Sequence, residues 1–348
     1  MPQSPIHGYH QELGARFVDF GGWEMPLSYG SALTEHRAVR EGAGWFDVSH
    51  LGRFSWKGEG WAPALSRLLC NDHERIGPGR AQYTMILNSR GGVIDDLIIW
   101  KRTTDEVTVM PNGVNHERVM EAFNSAEPKV ELSDLRPVTG SLAVQGPEAP
   151  SRVEALLGAV PGPFRVTKAA YRGEEVWVAG TGYTGERGVE LITDPRTAEA
   201  LARVLTAGGV TPCGLASRDL LRLEAGLMLW GHDLNDDITP LEAGLDWTVR
   251  FNRDFVGREA LERSRKEGLR RRLVAFRLGD RRIPREGYAL RAGESSGAVT
   301  SGNFSPMLGV GIGMGYVSTP FEASSVEVEI RGRWVPTQVV EGAFYRRG

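Results

Sequence analysis

Cysteine is scarce: the 348-residue chain has two, Cys70 and Cys213. They stand far apart and have no CxxC partner, which excludes a disulfide framework and a cysteine-built zinc site and fits a reducing, cytoplasmic setting. An excess of charge of one sign is also missing. With 41 Lys+Arg against 44 Asp+Glu, the formal net charge is -3. That gives no long-range field to draw in nucleic acid or an anionic membrane, so neither is expected as a partner. No apolar run approaches membrane-spanning length. The stretch from Met1 to Arg16, with Pro2, Pro5 and Gly8, lacks the apolar core of a secretory signal. Three common reaction signatures, GxxxxGK[ST], HExxH and GxSxG, do not occur. His36, His50 and Asp47 match no metal-site spacing, so hydrogen-bonded structural histidines are expected there, and no metal. Small molecules and proteins are left as the expected partners.

What is present is ample material for packed cores, with 41% hydrophobic residues in a chain longer than one core usually serves. Ser31 to Glu41 reads as a helix with Ser31 as N-cap and Gly42 as its stop. Ala81 to Leu87, Val93 to Lys101 and Val107 to Pro111 read as strands with short connections, hence an antiparallel meander. Val176 to Ala179 and Val189 to Thr193 read as two more. Asp194, Pro195 and Gly208 bracket a helix over Arg196 to Ala207: aspartate caps the free amides, proline suits the first turn, and glycine accepts a left-handed exit. A further helix is expected from Arg218 through Leu227 with Ser217 as cap, and helix and strand should alternate to about Asp246. A charged helix over Gly257 to Glu267 then leads to an all-β unit from Leu273 to Gly348. Arg270 to Arg272, at that junction, reads as a solvated basic face.

Three features bear on chemistry. Gly180-Thr181-Gly182-Tyr183-Thr184-Gly185 matches GxGxxG, but a strand pattern follows it where phosphate binding requires a helix N-terminus, so its glycines are assigned to a tight hairpin. Asp95-Asp96 interrupts the apolar strand Val93 to Trp100. Adjacent strand residues face opposite ways, so Asp96 shares a face with Ile94, Ile98 and Trp100, and Asp95 one with Val93, Leu97 and Ile99. An unpaired carboxylate in either place costs several kcal/mol, so each needs a partner, a proton or a ligand. Arg218, in the first turn of its helix, opposes the macrodipole unless an anion or dipolar ligand lies nearby.

Beyond these features, the sequence resembles the T-protein of the glycine cleavage system from near Gly14 to the C-terminus. The resemblance is carried by Asp19-Phe20-Gly21-Gly22-Trp23-Glu24-Met25-Pro26-Leu27, Phe46-Asp47-Val48-Ser49-His50, Gly91-Gly92-Val93-Ile94-Asp95-Asp96-Leu97-Ile98 and Gly182-Tyr183-Thr184-Gly185-Glu186. Arg218-Asp219, Arg222-Leu223-Glu224-Ala225-Gly226 and Thr300-Ser301-Gly302-Asn303-Phe304-Ser305-Pro306 continue it in order. The resemblance implies an α+β fold: a folate-binding region of intertwined α/β lobes with antiparallel sheets over residues 1–255, and a C-terminal β-barrel-like domain over 256–348. It further implies tetrahydrofolate as co-substrate without a metal, and the lipoylated H-protein as aminomethyl donor. Position by position it implies Asp96 as the catalytic carboxylate, Asp95 as its structural neighbour, and Tyr83, Asn112, Tyr183, Glu190, Arg218, Trp230 and Arg346 as folate contacts. Pro111, Leu51 and Trp230 depart from the residues usual in the family. Two other activities are known on such a fold: folate-dependent demethylation, and a non-enzymatic role in iron–sulfur assembly. Relatives with the latter role carry a KGCYxGQE motif that is absent here.

Overall fold

The computed structural model describes residues 1–58, 60–126, 130–322, 324 and 326–347. The architecture is α+β with largely antiparallel sheets, and the chain forms two compact units. One comprises residues 1–68, 72–84 and 97–219; the other comprises residues 69–71, 85–96 and 220–348.

The first unit begins with a short helix His7–Glu12, followed by a hairpin of Arg16–Phe20 and Trp23–Ser28. Its two-residue turn, Gly21-Gly22, takes φ of +58° and +86°, the positive pair that a tight hairpin with right-handed strand twist demands and that glycine alone adopts without strain. A six-stranded sheet follows in the spatial order Val166–Tyr171, Glu174–Ala179, Gly188–Thr193, Gly140–Gln145, Gly44–Asp47 and Thr211–Pro212. Neighbours are antiparallel except the last pair. Helices Ala149–Leu157 and Pro195–Ala207 bring Val153, Leu201 and Leu205 into one core with Val144, Val178 and Leu191 of the sheet.

The expected meander is present in a five-stranded sheet ordered Arg80–Leu87, Val93–Lys101, Glu106–Met110, Phe54–Lys57 and Glu131–Asp134. Burial along Val93–Lys101 separates its two faces. Val93, Asp95, Leu97 and Ile99 are buried, whereas Ile94, Asp96 and Ile98 are half-buried. Trp100, on the same face as Asp96, is fully buried, so that face is half-buried only over Ile94, Asp96 and Ile98, a distinction that the apolar run itself does not carry.

Three expectations need correction. The helix Pro195–Ala207 is capped by Asp194, whose Oδ1 accepts from the amides of Arg196 and Thr197 at 2.9 and 3.1 Å. Its left-handed exit, however, falls on Gly209 (φ +84°), while Gly208 has φ -80°. The next helix runs Leu215–Glu224 instead of Arg218 through Leu227, so Ser217 lies inside it. Its N-terminus is capped from far away in sequence: buried Glu35 accepts from the Gly214 amide and the Ser217 hydroxyl, both at 2.9 Å. Finally, beyond Glu224 the chain to Leu245 is turns with no helix or named strand, so the expected alternation stops there.

The second unit holds a helix Arg258–Glu267 and a seven-stranded antiparallel sheet. Its order is Arg333–Pro336, Val326–Ile330, Ala289–Ala292, Ser295–Ser305, Val310–Ser318, Arg271–Arg277 and Gln338–Val340. Phe276, Leu290, Val317 and Val328 form its core. The same unit pins the start of the strand that carries Asp96. The Val93 amide donates to the Asn235 and Ile238 carbonyls at 3.0 Å each, and the Val93 carbonyl accepts from Trp230 Nε1 at 3.0 Å.

Candidate active site

In the first unit the GxGxxG segment is an eight-residue connection between Glu174–Ala179 and Gly188–Thr193, longer than a tight hairpin, and no helix follows it. Its glycines are explained by close approach. A Cβ on Gly182 would sit 2.0 Å from Gln145 Oε1, and one on Gly188 would sit 2.5 Å from Gln145 Nε2. Gln145 ties the loop down, donating to the carbonyls of Thr181 and Val189 at 3.2 and 3.3 Å and accepting from Thr184 Oγ1 at 2.9 Å.

This anchored loop presents Tyr183 to Arg218, whose guanidinium carbon lies 4.9 Å from the tyrosine ring centre and 5.9 Å from that of Phe46. Glu190, on the adjoining strand, accepts a short hydrogen bond from Thr181 Oγ1. Burial pushes the Arg218 guanidinium below its ordinary range, and the Glu190 carboxylate acts against that shift. Arg218 Nη1 is buried and has no hydrogen-bond partner among the described residues. A cationic donor left in that condition costs free energy that a polar or anionic ligand would recover. Arg218, Glu190 and Tyr183 thus form one cluster. Tyr83 and Asn112, in the same unit, are half-buried, on Arg80–Leu87 and just ahead of the 3-10 turn Gly113–Asn115.

The loop after strand Gly44–Asp47 adjoins this cluster. Asp47 accepts from Ser4 Oγ, from His10 Nε2 at 2.7 Å and from the Ser49 amide at 2.8 Å. Burial works to raise this carboxyl, but His10, Ser4 and Ser49 outweigh it and hold it at about 2. Arg53, fully buried, donates to the carbonyls of Ser49, Leu51, Arg136 and Thr139. Burial lowers its guanidinium to about 10. Between these anchors sits His50, 4% exposed. The expectation of a hydrogen-bonded structural histidine fails at Nδ1, which has no partner among the described residues.

Burial, followed by the Arg218 cation, lowers the His50 pKa to about 3. An unfolded histidine titrates near ~6.5, so between these values the unfolded chain holds a proton that the folded chain lacks. The His50 contribution to stability is therefore complete above pH ~6.5 and is lost as pH falls toward 3, at up to about 1.4 kcal/mol per pH unit. Urea unfolding at a series of pH values should show this slope in the wild type and a flatter profile in His50→Gln. Equal slopes in the two proteins would assign the effect to other groups.

In the second unit stand Asp96, Trp230 and Arg346. Trp230 is half-buried with its indole N–H committed to Val93, and Arg346 is exposed, its Nη2 2.7 Å from where a Cβ on Gly342 would lie. No group of three metal-ligating side chains occurs among the described residues, and no helix there is long and apolar enough to cross a membrane.

Residues 6–253 match the model of the GCVT N-terminal domain, and residues 271–346 match that of the glycine cleavage T-protein C-terminal barrel domain. The chain belongs to the glycine cleavage T-protein family. Among relatives of this T-protein, an aminomethyltransferase of Rubrobacter xylanophilus is 43% identical over 99% of this chain and 94% of its own length. One of Synechococcus elongatus is 42% identical over 99% and 96%. The crystal structure of the glycine cleavage system aminomethyltransferase T from Bartonella henselae superposes with a TM-score of 0.91 at 32% identity, covering 99% of this chain and 98% of that one. By family, this T-protein is an enzyme, a transferase, and its α+β architecture with a C-terminal barrel domain is the family's.

Proposed function

We propose that this T-protein takes the aminomethyl group carried on the dihydrolipoyl arm of a lipoylated H-protein and delivers its one-carbon unit to tetrahydrofolate. The products are methylenetetrahydrofolate, ammonia and the reduced carrier. The observation that supports folate binding best is the buried Nη1 of Arg218, which lacks a hydrogen-bond partner among the described residues, beside Glu190 and Tyr183. A reduced folate offers hydrogen-bonding ring edges and carboxylates suited to such a group. As co-substrate it supplies the two nitrogens, one in the pterin ring and one outside it, that the one-carbon unit comes to bridge.

In this reading Arg218 and Glu190 hold the folate, Tyr183 packs against it, and Tyr83, Asn112, Trp230 and Arg346 add contacts. Asp96 orients the reacting nitrogen and stabilises the positive charge that develops there, while Asp95 supports the strand. Catalysis then rests on positioning and charge stabilisation more than on covalent chemistry by the protein. Residues 1–255 form the folate-binding region and 256–348 the C-terminal domain, and the setting is cytoplasmic. Full-length similarity to aminomethyltransferases supports this reading over a demethylase. Cys70 and Cys213 are both buried, and the iron–sulfur assembly motif is absent.

Folate binding is open to a direct test. Replacing Arg218 with Met should weaken tetrahydrofolate roughly 10- to 100-fold in an equilibrium titration, since a charge-assisted hydrogen bond is worth about 1.5–3 kcal/mol. Unchanged affinity in a folded Arg218→Met protein would remove Arg218 from the folate site.

A further inference from the structure

We infer that His50 is a further folate-contacting residue of this T-protein, its imidazole making a hydrogen bond to bound tetrahydrofolate beside Arg218. The inference rests on the functional reading above and adds a residue to it.

The geometry singles out His50. Every other polar side chain of its loop from Asp47 to Arg53 is paired: Asp47 with Ser4, His10 and Ser49, Ser49 Oγ with the Ser141 amide at 3.0 Å, and Arg53 with four carbonyls. The neighbouring segment is fitted to it closely. A Cβ on Gly113 would fall 2.4 Å from the His50 carbonyl oxygen and 3.5 Å from its ring carbon Cδ2, and the Gly52 amide donates to the Pro111 carbonyl at 3.0 Å. Asn112 lies between those two contacts in the chain. On another side the Phe20 ring meets the imidazole edge-on, with centres 5.3 Å apart.

The loop is held firmly, yet at 4% exposure the Nδ1 of His50 has no hydrogen-bond partner among the described residues. Buried polar groups without partners are uncommon and are explained by a function or a ligand more readily than by packing. Nearby Arg218 has the same defect at Nη1. Its cation and the burial together keep the imidazole neutral, so His50 retains a lone pair as well as an N–H and is able to accept from a ring N–H or amino group. Two unsatisfied buried groups of complementary hydrogen-bonding character, carried by rigid elements, constitute a preorganised polar site.

Two ring-sized or apolar replacements separate ligand contact from packing. His50→Phe and His50→Leu remove the nitrogens while filling the space, and His50→Gln keeps a donor and an acceptor. Equilibrium titration of each folded protein with tetrahydrofolate, alongside thermal unfolding, is the test. The expected result is affinity weakened about tenfold in the apolar variants and within about threefold of wild type in His50→Gln. The melting temperature of the apolar variants should be unchanged or raised, because they remove a buried unsatisfied group. Wild-type affinity in either apolar variant overturns the inference while leaving the folate reading intact. Failure of the wild type to bind tetrahydrofolate overturns both.

Discussion

Replacing Asp96 with Asn should lower turnover by roughly 10² to 10⁴ while tetrahydrofolate still binds, the loss expected when a positioned carboxylate that stabilises charge or relays a proton is neutralised. The strand explains why the fold should survive. Asp96 is itself half-buried on Val93–Lys101, whereas Asp95, on the opposite face, is fully buried. The start of the strand is fixed through the backbone of Val93 by Asn235, Ile238 and Trp230, none of which involves the Asp96 side chain. Asn preserves size and some hydrogen bonding and removes only the charge. Steady-state rates with aminomethyl-loaded carrier, together with folate titration of the same protein, check both halves. Near-normal turnover would take Asp96 out of the chemistry.

Asp233→Ala should cost about 3–5 kcal/mol of unfolding free energy, because it strands a buried cation. Asp233 is completely buried and accepts from Arg222 Nη1 and Ser301 Oγ at 2.8 Å, from the Leu229 amide at 2.9 Å and from Thr300 Oγ1 at 2.5 Å. The bond from Leu229 is what makes this knot matter to function: it fixes the turn leading into Trp230, whose indole holds Val93. Urea denaturation measures the loss. Removing both ends of the pair, as Arg222→Met with Asp233→Leu, should recover part of it, since a well-packed apolar pair avoids the stranded charge.

Local chemistry made much of the fold legible. Asp194-Pro195 announces its helix because both residues act within one turn, and the meander over residues 80–110 is announced by β-rich runs with turn residues between them. The helix Leu215–Glu224 was not legible at its start, because the carboxylate capping it belongs to Glu35, 179 residues before Gly214 and 182 before Ser217, and so not to the local sequence. The site divides in the same way. Asp95-Asp96 stands out as acid in an apolar strand, but which of the two faces outward depends on neighbouring layers. Arg218 looked only mildly unfavourable on its helix. Its unsatisfied Nη1 and its position against Tyr183 emerge once the 180–187 loop has closed over Gln145. His50 carried no signal beyond its motif, since an unpaired nitrogen is a property of surroundings and not of sequence.

Aminomethyl transfer itself is tested most directly by mixing stoichiometric aminomethyl-loaded H-protein with the wild-type enzyme and tetrahydrofolate, then following ammonia and the folate product in a single turnover. One ammonia and one methylenetetrahydrofolate per carrier are predicted, with neither formed at comparable rate when enzyme or folate is left out. Methyltetrahydrofolate formed from a free methylated small molecule, with the loaded carrier left unconsumed, would contradict the account.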